Sequence, residues 1–444
     1  MRVTWRAVEL RMLLPLFLVV PLGFAIAHIA LAGELAPGPL GVAFGYLALM
    51  FGAHVVLVAF RQRGDQLLLP LVGTIGGIGM IMLNRLPQDL IGDNALGLGM
   101  AATQLLWFAL GVLAMLVVAI GLRDDGFLRH YKYSWALAGA ALLVFTFLFG
   151  TEVNGARLWI YIGPIGFQPG EFIKIVLVVF IAGYLAEKRA LLTGVSMRLG
   201  PIALPPVPYL LPMLAMFAIV MLIVVRSNDL GTALLFFGTF LTMLFVATGR
   251  RSYVFIGLVL FLLGSFVAYR LFGHVRVRVD NWIDPFSDPS GGGYQTVQAL
   301  YSLGRGGLFG EGLGQGLPAI NGILPIPFTH TDFIFTAVAE ELGLIGAFAL
   351  LALTLTLVFR GLRVALLARD DFSAMLAVGL TTSLGLQTLI IVAGNLKLIP
   401  LTGITFPFVS YGGSSLLASF IIIGLLLSIS HRSAVGARAE GHGG

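Results

Sequence analysis

No cysteine occurs among the 444 residues. That absence removes disulfides, thiolate metal sites and a cysteine nucleophile from consideration. Charge is scarce as well: Asp, Glu, Lys and Arg make up 11% of the chain, against roughly a quarter in an ordinary soluble domain. The seven histidines are scattered and form no His-Glu-x-x-His pair, so we expect no metal site built by the chain itself. His28 and His54 fall inside apolar runs and read as satisfied core or interface histidines. Nor do we expect a removable leader. The first apolar run, at about 12–33, is too long for one and lacks a small-residue cleavage signature, so we expect it to stay as an anchor. Basic residues do not gather on one face, which speaks against a nucleic-acid partner, whereas the net charge of +6 suits anionic lipid.

What the chain has in plenty is apolar sequence, 58% of it. We expect about twelve membrane spans, near 12–33, 40–60, 67–86, 99–121, 134–150, 171–187, 206–226, 230–248, 252–271, 331–359, 373–394 and 409–430. This is an all-α polytopic membrane protein. Lys and Arg set its orientation. Arg61 and Arg63, Arg123 to Lys132, Lys188 to Arg198, Arg250 and Arg251, and Arg360 to Arg369 occupy alternate junctions, and both tails are basic. Both termini are thus expected in the cytoplasm, with the long segment after the ninth span outside. The tail from 433 to 444 is polar and glycine-rich, and is expected to be disordered.

Ionisable residues in or beside spans are costly and so are functional candidates. Glu171 and Lys174 share a helix face and can pair. Asp229 stands at an N-cap position. These three suit either register-fixing ion pairs or the lining of a substrate cavity. Glu340 and Glu341 lie deep in the tenth span and read as structure or lining. Arg85 and Arg157, at outer rims, suit snorkelling or phosphate binding alike.

The segment from about 271 to 330 exceeds the dozen or so residues of an ordinary connector. It holds Arg276, Arg278, Asp280, Asp284 and Asp288, then a run that reads as flexible, Gly291-Gly292-Gly293-Tyr294-Gln295, and a second glycine-rich run, GRGGLFGEGLGQG. An Asp-Pro step by itself starts a turn. The second run reads as a flexible re-entrant loop and has no Gly-Lys-Ser/Thr ending to make it a nucleotide-phosphate loop. Together they outline a site with an exposed carboxylate, arginines for an anion and backbone open to a large ligand. A glycosidase needs two carboxylates because its leaving alcohol must be protonated. A diphosphate leaving group is already a weak base, so one carboxylate acting on the incoming hydroxyl suffices. Arginines or a divalent cation, Mg or Mn, would stabilise the departing charge.

Five stretches carry a family resemblance: Asn154-Gly155-Ala156-Arg157 with Gln168 to Lys174; Asp229 to Ala233; Asp284 to Pro289 with Gly293-Tyr294-Gln295; His330 to Phe335 with Glu340 to Gly343; and Pro400 to Gly403 with Pro407 to Ser415. The sequence resembles the SEDS proteins (shape, elongation, division and sporulation), the RodA/FtsW group of bacterial peptidoglycan polymerases. Pro407-Phe408 leans to the RodA side. The likeness covers residues 65–432, a core of about ten helices, and leaves residues 1–64 as a two-helix N-terminal addition.

The resemblance implies a glycosyltransferase that polymerises lipid II into glycan strands at the outer face of the bacterial cytoplasmic membrane. Its partner would be a class B penicillin-binding transpeptidase on a separate chain. It implies Asp288 as the base that deprotonates the acceptor sugar, and Lys174 and Glu171 as groups that bind the pyrophosphate or order the cavity. Arg157, Asp229, Arg276, Arg278, Tyr294, Gln295, Ser410, Tyr411 and Ser414 complete the substrate-binding candidates. The chain departs from the family at Gly170, where many members have Ser, and at Ser227-Asn228, where many have Gln-Pro. It also has no lysine between Leu317 and Ile323. A lipid flippase, resting on Glu340 and Glu341 near the midplane, is the alternative from another class. A scaffold that only recruits the transpeptidase is a third.

Overall fold

Inside a bilayer no water satisfies backbone N–H and C=O groups, so apolar runs of spanning length must close their hydrogen bonds as helices. Each of the twelve expected spans lies on one in the computed structural model, which describes residues 6–35, 37–86, 98–122, 124–153, 155–163, 165–192, 197–199, 202–204, 207–316 and 326–440. Ten of these helices are long and apolar enough to cross a membrane. The others are Leu68–Asn84, which is shorter, and Gly170–Leu192, which carries Glu171, Lys174, Glu187, Lys188 and Arg189. Arg123, Asn154, Leu317 to Ile323 and residues 441–444, all used above, lie outside the described residues.

The chain divides into two compact units, residues 1–122, 280–360 and 387–444 forming the first, and 123–279 with 361–386 the second. In the first, α1 (Ala7–Leu13), α2 (Leu16–Ala32) and α3 (Pro37–Ala59) are followed by α4 (Leu68–Asn84) and α5 (Met100–Gly121). Arg6, Glu9 and His54 form a buried trio that ties this N-terminal part down. Arg6 donates to Glu9 at 2.5 Å and to the Gln62 and Asp65 carbonyls at 2.9 and 2.8 Å, and His54 Nδ1 lies 2.7 Å from Glu9. His54 is thus satisfied as expected, whereas buried His28 Nε2 has no hydrogen-bond partner.

The second unit holds α6 (Gly126–His130), α7 (Lys132–Phe149) and a three-stranded antiparallel sheet of β1 (Thr151–Val153), β2 (Ala156–Ile162) and β3 (Ile165–Phe167). It continues through α8 (Gly170–Leu192), a short hairpin, α9 (Val207–Arg226), α10 (Leu230–Thr248) and α11 (Arg251–Leu271). The sheet is an addition to the expected all-helical content. Aromatic and aliphatic residues of Ala156–Ile162 favour a strand in a stretch too short for another span.

Two further expectations need correction. The segment expected as a long loop contains α12 (Gly273–Ile283), a 3₁₀ turn at Pro285–Ser287 and α13 (Tyr294–Gly306). Helix α13 is amphipathic, with Ala299, Ser302 and Gly306 buried at helical spacing. Beyond it, α14 (Ile334–Leu366), α15 (Asp371–Asn395) and α16 (Gly413–Glu440) complete the chain. The tail expected to be disordered from 433 is therefore helical as far as Glu440, because Ala and Arg continue a helix already nucleated by the span before it.

Candidate functional site

Asp288 closes the 3₁₀ turn that Asp284 opens. Asp284 accepts the Phe286 N–H at 3.2 Å, a local cap that the Asp-Pro sequence favours. The chain then doubles back over Asp288. Gly292 N–H donates to Asp288 Oδ2 at 2.8 Å, and Gly293 N–H to its carbonyl at 3.0 Å. The three glycines are there for space. A Cβ on Gly291 would lie 2.3 Å from the Asp288 carboxylate, and one on Gly293 would lie 2.0 Å from the Pro285 carbonyl oxygen. What reads as a flexible run is a tight wrap that fixes one carboxylate oxygen and leaves the other available on an exposed residue.

Tyr294 and Gln295, both half-buried, begin α13 directly after this wrap. The segment before it is fastened by Trp282, whose indole N–H donates to the Lys397 carbonyl at 3.0 Å, while Lys397 Nζ donates to the Ile283 carbonyl at 3.3 Å. At its other end α13 presents Arg305 to Glu340, at 2.6 Å.

The second glycine-rich run is not a flexible loop either. Helix α14 breaks at Gly343, whose φ of 66° and ψ of −171° are not helical. The run lies against the break: Glu311 N–H donates to the Glu340 carbonyl at 3.0 Å, Gly312 N–H to that of Glu341 at 3.1 Å, and Leu344 N–H to that of Gly307 at 3.0 Å. Broken-helix carbonyls thus find donors without water. Glu341 pairs with Arg85 and accepts the Gly314 N–H at 3.0 Å. Arg85, at the end of α4, is 2% exposed, so it neither snorkels nor presents its guanidinium to an outside phosphate. A deep carboxylate draws the guanidinium inward.

Ser410 lies in a turn ahead of α16, not in an open pocket. Its hydroxyl donates to the Thr331 carbonyl at 2.5 Å and accepts the Phe406 N–H at 2.9 Å. Tyr411 N–H donates to the His330 carbonyl at 2.8 Å. Ser414 is buried at the start of α16. Ser410 and Tyr411, both substrate-binding candidates from the sequence, tie the turn to the residues before α14. Burial pushes the neighbouring His330 imidazole down to about 4.

The remaining candidates belong to the second unit. Lys174, 2% exposed, pairs with Glu171 at 2.6 Å, as their spacing requires. Asp229 caps α10 through the Thr232 N–H at 3.0 Å. Burial raises its carboxyl above the usual range. The Thr232 hydrogen bonds oppose that, nearby Glu171 adds to it and Arg278 lowers it. Glu171 and Arg278 therefore lie close enough to Asp229 to act on its carboxyl. Arg276 is exposed, set over the Tyr269 ring with its guanidinium 5.8 Å from the centroid. Arg157 pairs across the β1–β2 ladder with Glu152 at 3.2 Å. It lines a cleft of about 250 Å³ with Phe147, Arg226, Ser227 and Asn228.

Sequence reasoning missed Arg305 and Arg226. A pair of glutamates inside an apolar span was the available signal for Arg305, since each demands a cation. Nothing local marked Arg226, which ends an apolar helix as many snorkelling arginines do.

Comparison with known proteins places this geometry. The profile of the FtsW/RodA/SpoVE family, described as cell cycle protein, matches residues 65–435. The protein named peptidoglycan glycosyltransferase RodA of Mycobacterium tuberculosis (strain ATCC 25618 / H37Rv) is 44% identical over 397 residues, 88% of this chain and 82% of the relative. Stage V sporulation protein E of Bacillus subtilis (strain 168) is 37% identical over 345 residues, 75% and 87% of the two chains. A solved chain from a study of a peptidoglycan synthase complex that coordinates polymerization and crosslinking superposes with a TM-score of 0.67 at 29% identity, covering 84% of this chain and 98% of that one. The crystal structure of the Thermus thermophilus rod shape determining protein RodA gives 0.57 at 25%, covering 83% and 97%. The Asp288 wrap, the broken tenth span and the turn before the last helix all lie inside the matched region, and the chain belongs to the FtsW/RodA/SpoVE family.

Proposed function

We infer that this chain is a peptidoglycan glycosyltransferase that polymerises lipid II, with Asp288 as its general base. The observation that carries the reading is the Asp288 wrap: an exposed carboxylate with one oxygen held by Gly292 N–H and the other available. In the reaction, Asp288 takes the proton of the acceptor sugar hydroxyl as the oxygen bonds to the anomeric carbon of the donor. The bond from that carbon to the diphosphate breaks, and undecaprenyl pyrophosphate leaves with the electron pair. Displacement from the opposite face inverts the configuration. No second carboxylate is required, because the diphosphate departs without protonation.

Charge bias in the junctions supports an outward-facing Asp288 and cytoplasmic termini in a bacterial inner membrane. A class B penicillin-binding transpeptidase is the partner that fits, since a structural relative comes from a complex pairing polymerization with crosslinking. Arg157 and Arg226 at the second-unit cleft suit an anionic headgroup. A divalent cation on the diphosphate would neutralise the departing charge. The transport alternative rested on Glu340 and Glu341, and both are paired with arginines inside the protein.

Purified chain, alone and with the transpeptidase, is assayed for glycan strands made from lipid II. Asp288→Asn should abolish polymer with the protein still folded. Strand synthesis at the wild-type rate by that variant would end the assignment.

A further inference from the structure

Residues 1–64 lie outside the matched family region, yet α2 reaches the machinery just described. Gly314, whose φ is +77°, sits so close to α2 that a Cβ there would lie 2.8 Å from the Ala30 Cβ and 2.9 Å from the Ala27 carbonyl oxygen. Gly314 N–H in turn donates to Glu341. Glu341 and Glu340 are adjacent in α14, and Glu340 holds Arg305 at the end of α13. Helix α13 starts at the wrap around Asp288. A short run of direct contacts therefore links the N-terminal addition to the candidate base, all within the first unit.

The addition is itself firmly seated. The Arg6–Glu9–His54 trio holds it at one end. Val8 N–H donates to Gln66 at 3.1 Å, and Asp65, whose carbonyl receives Arg6, pairs with Arg360 on α14. The addition is thus tied to α14 at a second place, far along that helix from Glu341. A merely lipid-facing appendage would need neither contact.

We propose that α2 is a positioning brace for the transferase: by backing Gly314 it holds the glycine run in the break of α14, and through Glu340 and Arg305 it holds α13 and the Asp288 wrap. The proposal rests on Asp288 as the base. It makes Ala30 a positioning residue, acting through Gly314 and touching no substrate. Coupling of this kind needs a contiguous packed route with a measurable response at the far end.

The test uses the full chain. Ala30→Leu places bulk against Gly314, whereas Ala30→Ser keeps the volume nearly unchanged. For Ala30→Leu we expect a fall of about tenfold or more in kcat for strand synthesis from lipid II with KM within about twofold, since a displaced base loses rate and not binding. Amide exchange in peptides covering residues 288–300 should quicken in the same variant, a readout independent of activity. Ala30→Ser should match the parent in both. If Ala30→Leu does not accumulate in membranes, Ala30→Val serves as the smaller step. Unchanged kcat in the bulky variant overturns the brace, as does a kcat loss without faster exchange at residues 288–300. Failure of the underlying reading is separate: it shows as activity retained by Asp288→Asn, whatever Ala30 does.

Discussion

Gly293→Ala adds one methyl group where the wrap around Asp288 is tightest. The new Cβ would lie 2.0 Å from the Pro285 carbonyl oxygen, 2.8 Å from its carbon and 3.0 Å from the Asp288 carbonyl oxygen. All three are backbone atoms, so no side-chain rotation relieves the overlap. The strand must withdraw by about 1 Å to reach ordinary contact. That withdrawal breaks Gly293 N–H to the Asp288 carbonyl and weakens Gly292 N–H to the carboxylate. Two such bonds are together worth about 1–3 kcal/mol, a local cost. The wrap is exposed and adds little to the hydrophobic core, so thermal unfolding should move by only a few degrees. Rate is another matter, since a base misplaced by about 1 Å loses roughly a hundredfold. Gly304→Ala is the matched control, ten or so residues further on in α13. Nothing lies within 4 Å of a Cβ there, and alanine favours a helix by about 1 kcal/mol over glycine. Strand synthesis from lipid II, measured with both variants at equal amounts of folded protein, should fall about a hundredfold for Gly293→Ala and hold for Gly304→Ala. Equal rates for the two would refute the claim that the wrap positions the base.

The buried charges give two further outcomes. His330 folds neutral, with its pKa lowered by burial from 6.5 to about 4. It adds its full share of stability above pH 6.5 and loses it as pH falls through that interval, about 3 kcal/mol in all. Unfolding midpoints of solubilised protein should therefore drop between pH 6.5 and 4, and His330→Gln should flatten the drop; an unchanged slope would show that other groups set it. Glu341→Gln leaves the buried Arg85 guanidinium without its counter-charge, which should cost about 3–5 kcal/mol of stability. Arg85→Met combined with Glu341→Gln should recover most of that loss, and a double variant as unstable as the sum of its parts would deny the pairing.

Local rules made much of the chain legible. Spanning apolar runs became helices because backbone in lipid has few other choices. Glu171 and Lys174 paired because i and i+3 share a helix face, and Asp229 capped the helix it precedes. Pairs distant in sequence were not legible: nothing near Arg85 announces a partner 256 residues away. Nor does composition distinguish a glycine that confers freedom from one that admits a neighbouring backbone. Both glycine runs here are of the second kind, which is why the expected flexible loop is a docked segment. The helices α12 and α13 were hidden in the same way, since Gly and Asp-Pro steps around them read as turns.

A carboxylate that works as a base on a sugar hydroxyl must stay ionised and meet water and substrate, so it cannot be fixed by burial in an apolar core. Its position has to come from backbone contacts and from elements anchored elsewhere. Helix α13 answers that need as a bar of about 20 Å, at 1.5 Å per residue. One end starts at the Asp288 wrap and the other is pinned by Arg305 to a glutamate within a span. Between them, buried Ala299 packs with Ile326 and Phe333. The glutamate's own register is set by the break at Gly343 and the glycine run laid into it. Glycine density and paired charges in this chain thus serve one requirement of the proposed mechanism, that Asp288 be held rigidly at a surface. The same logic explains why Glu340 and Glu341 are tolerated in a membrane helix: each has a cation supplied by a different segment, and each fixes that segment in place.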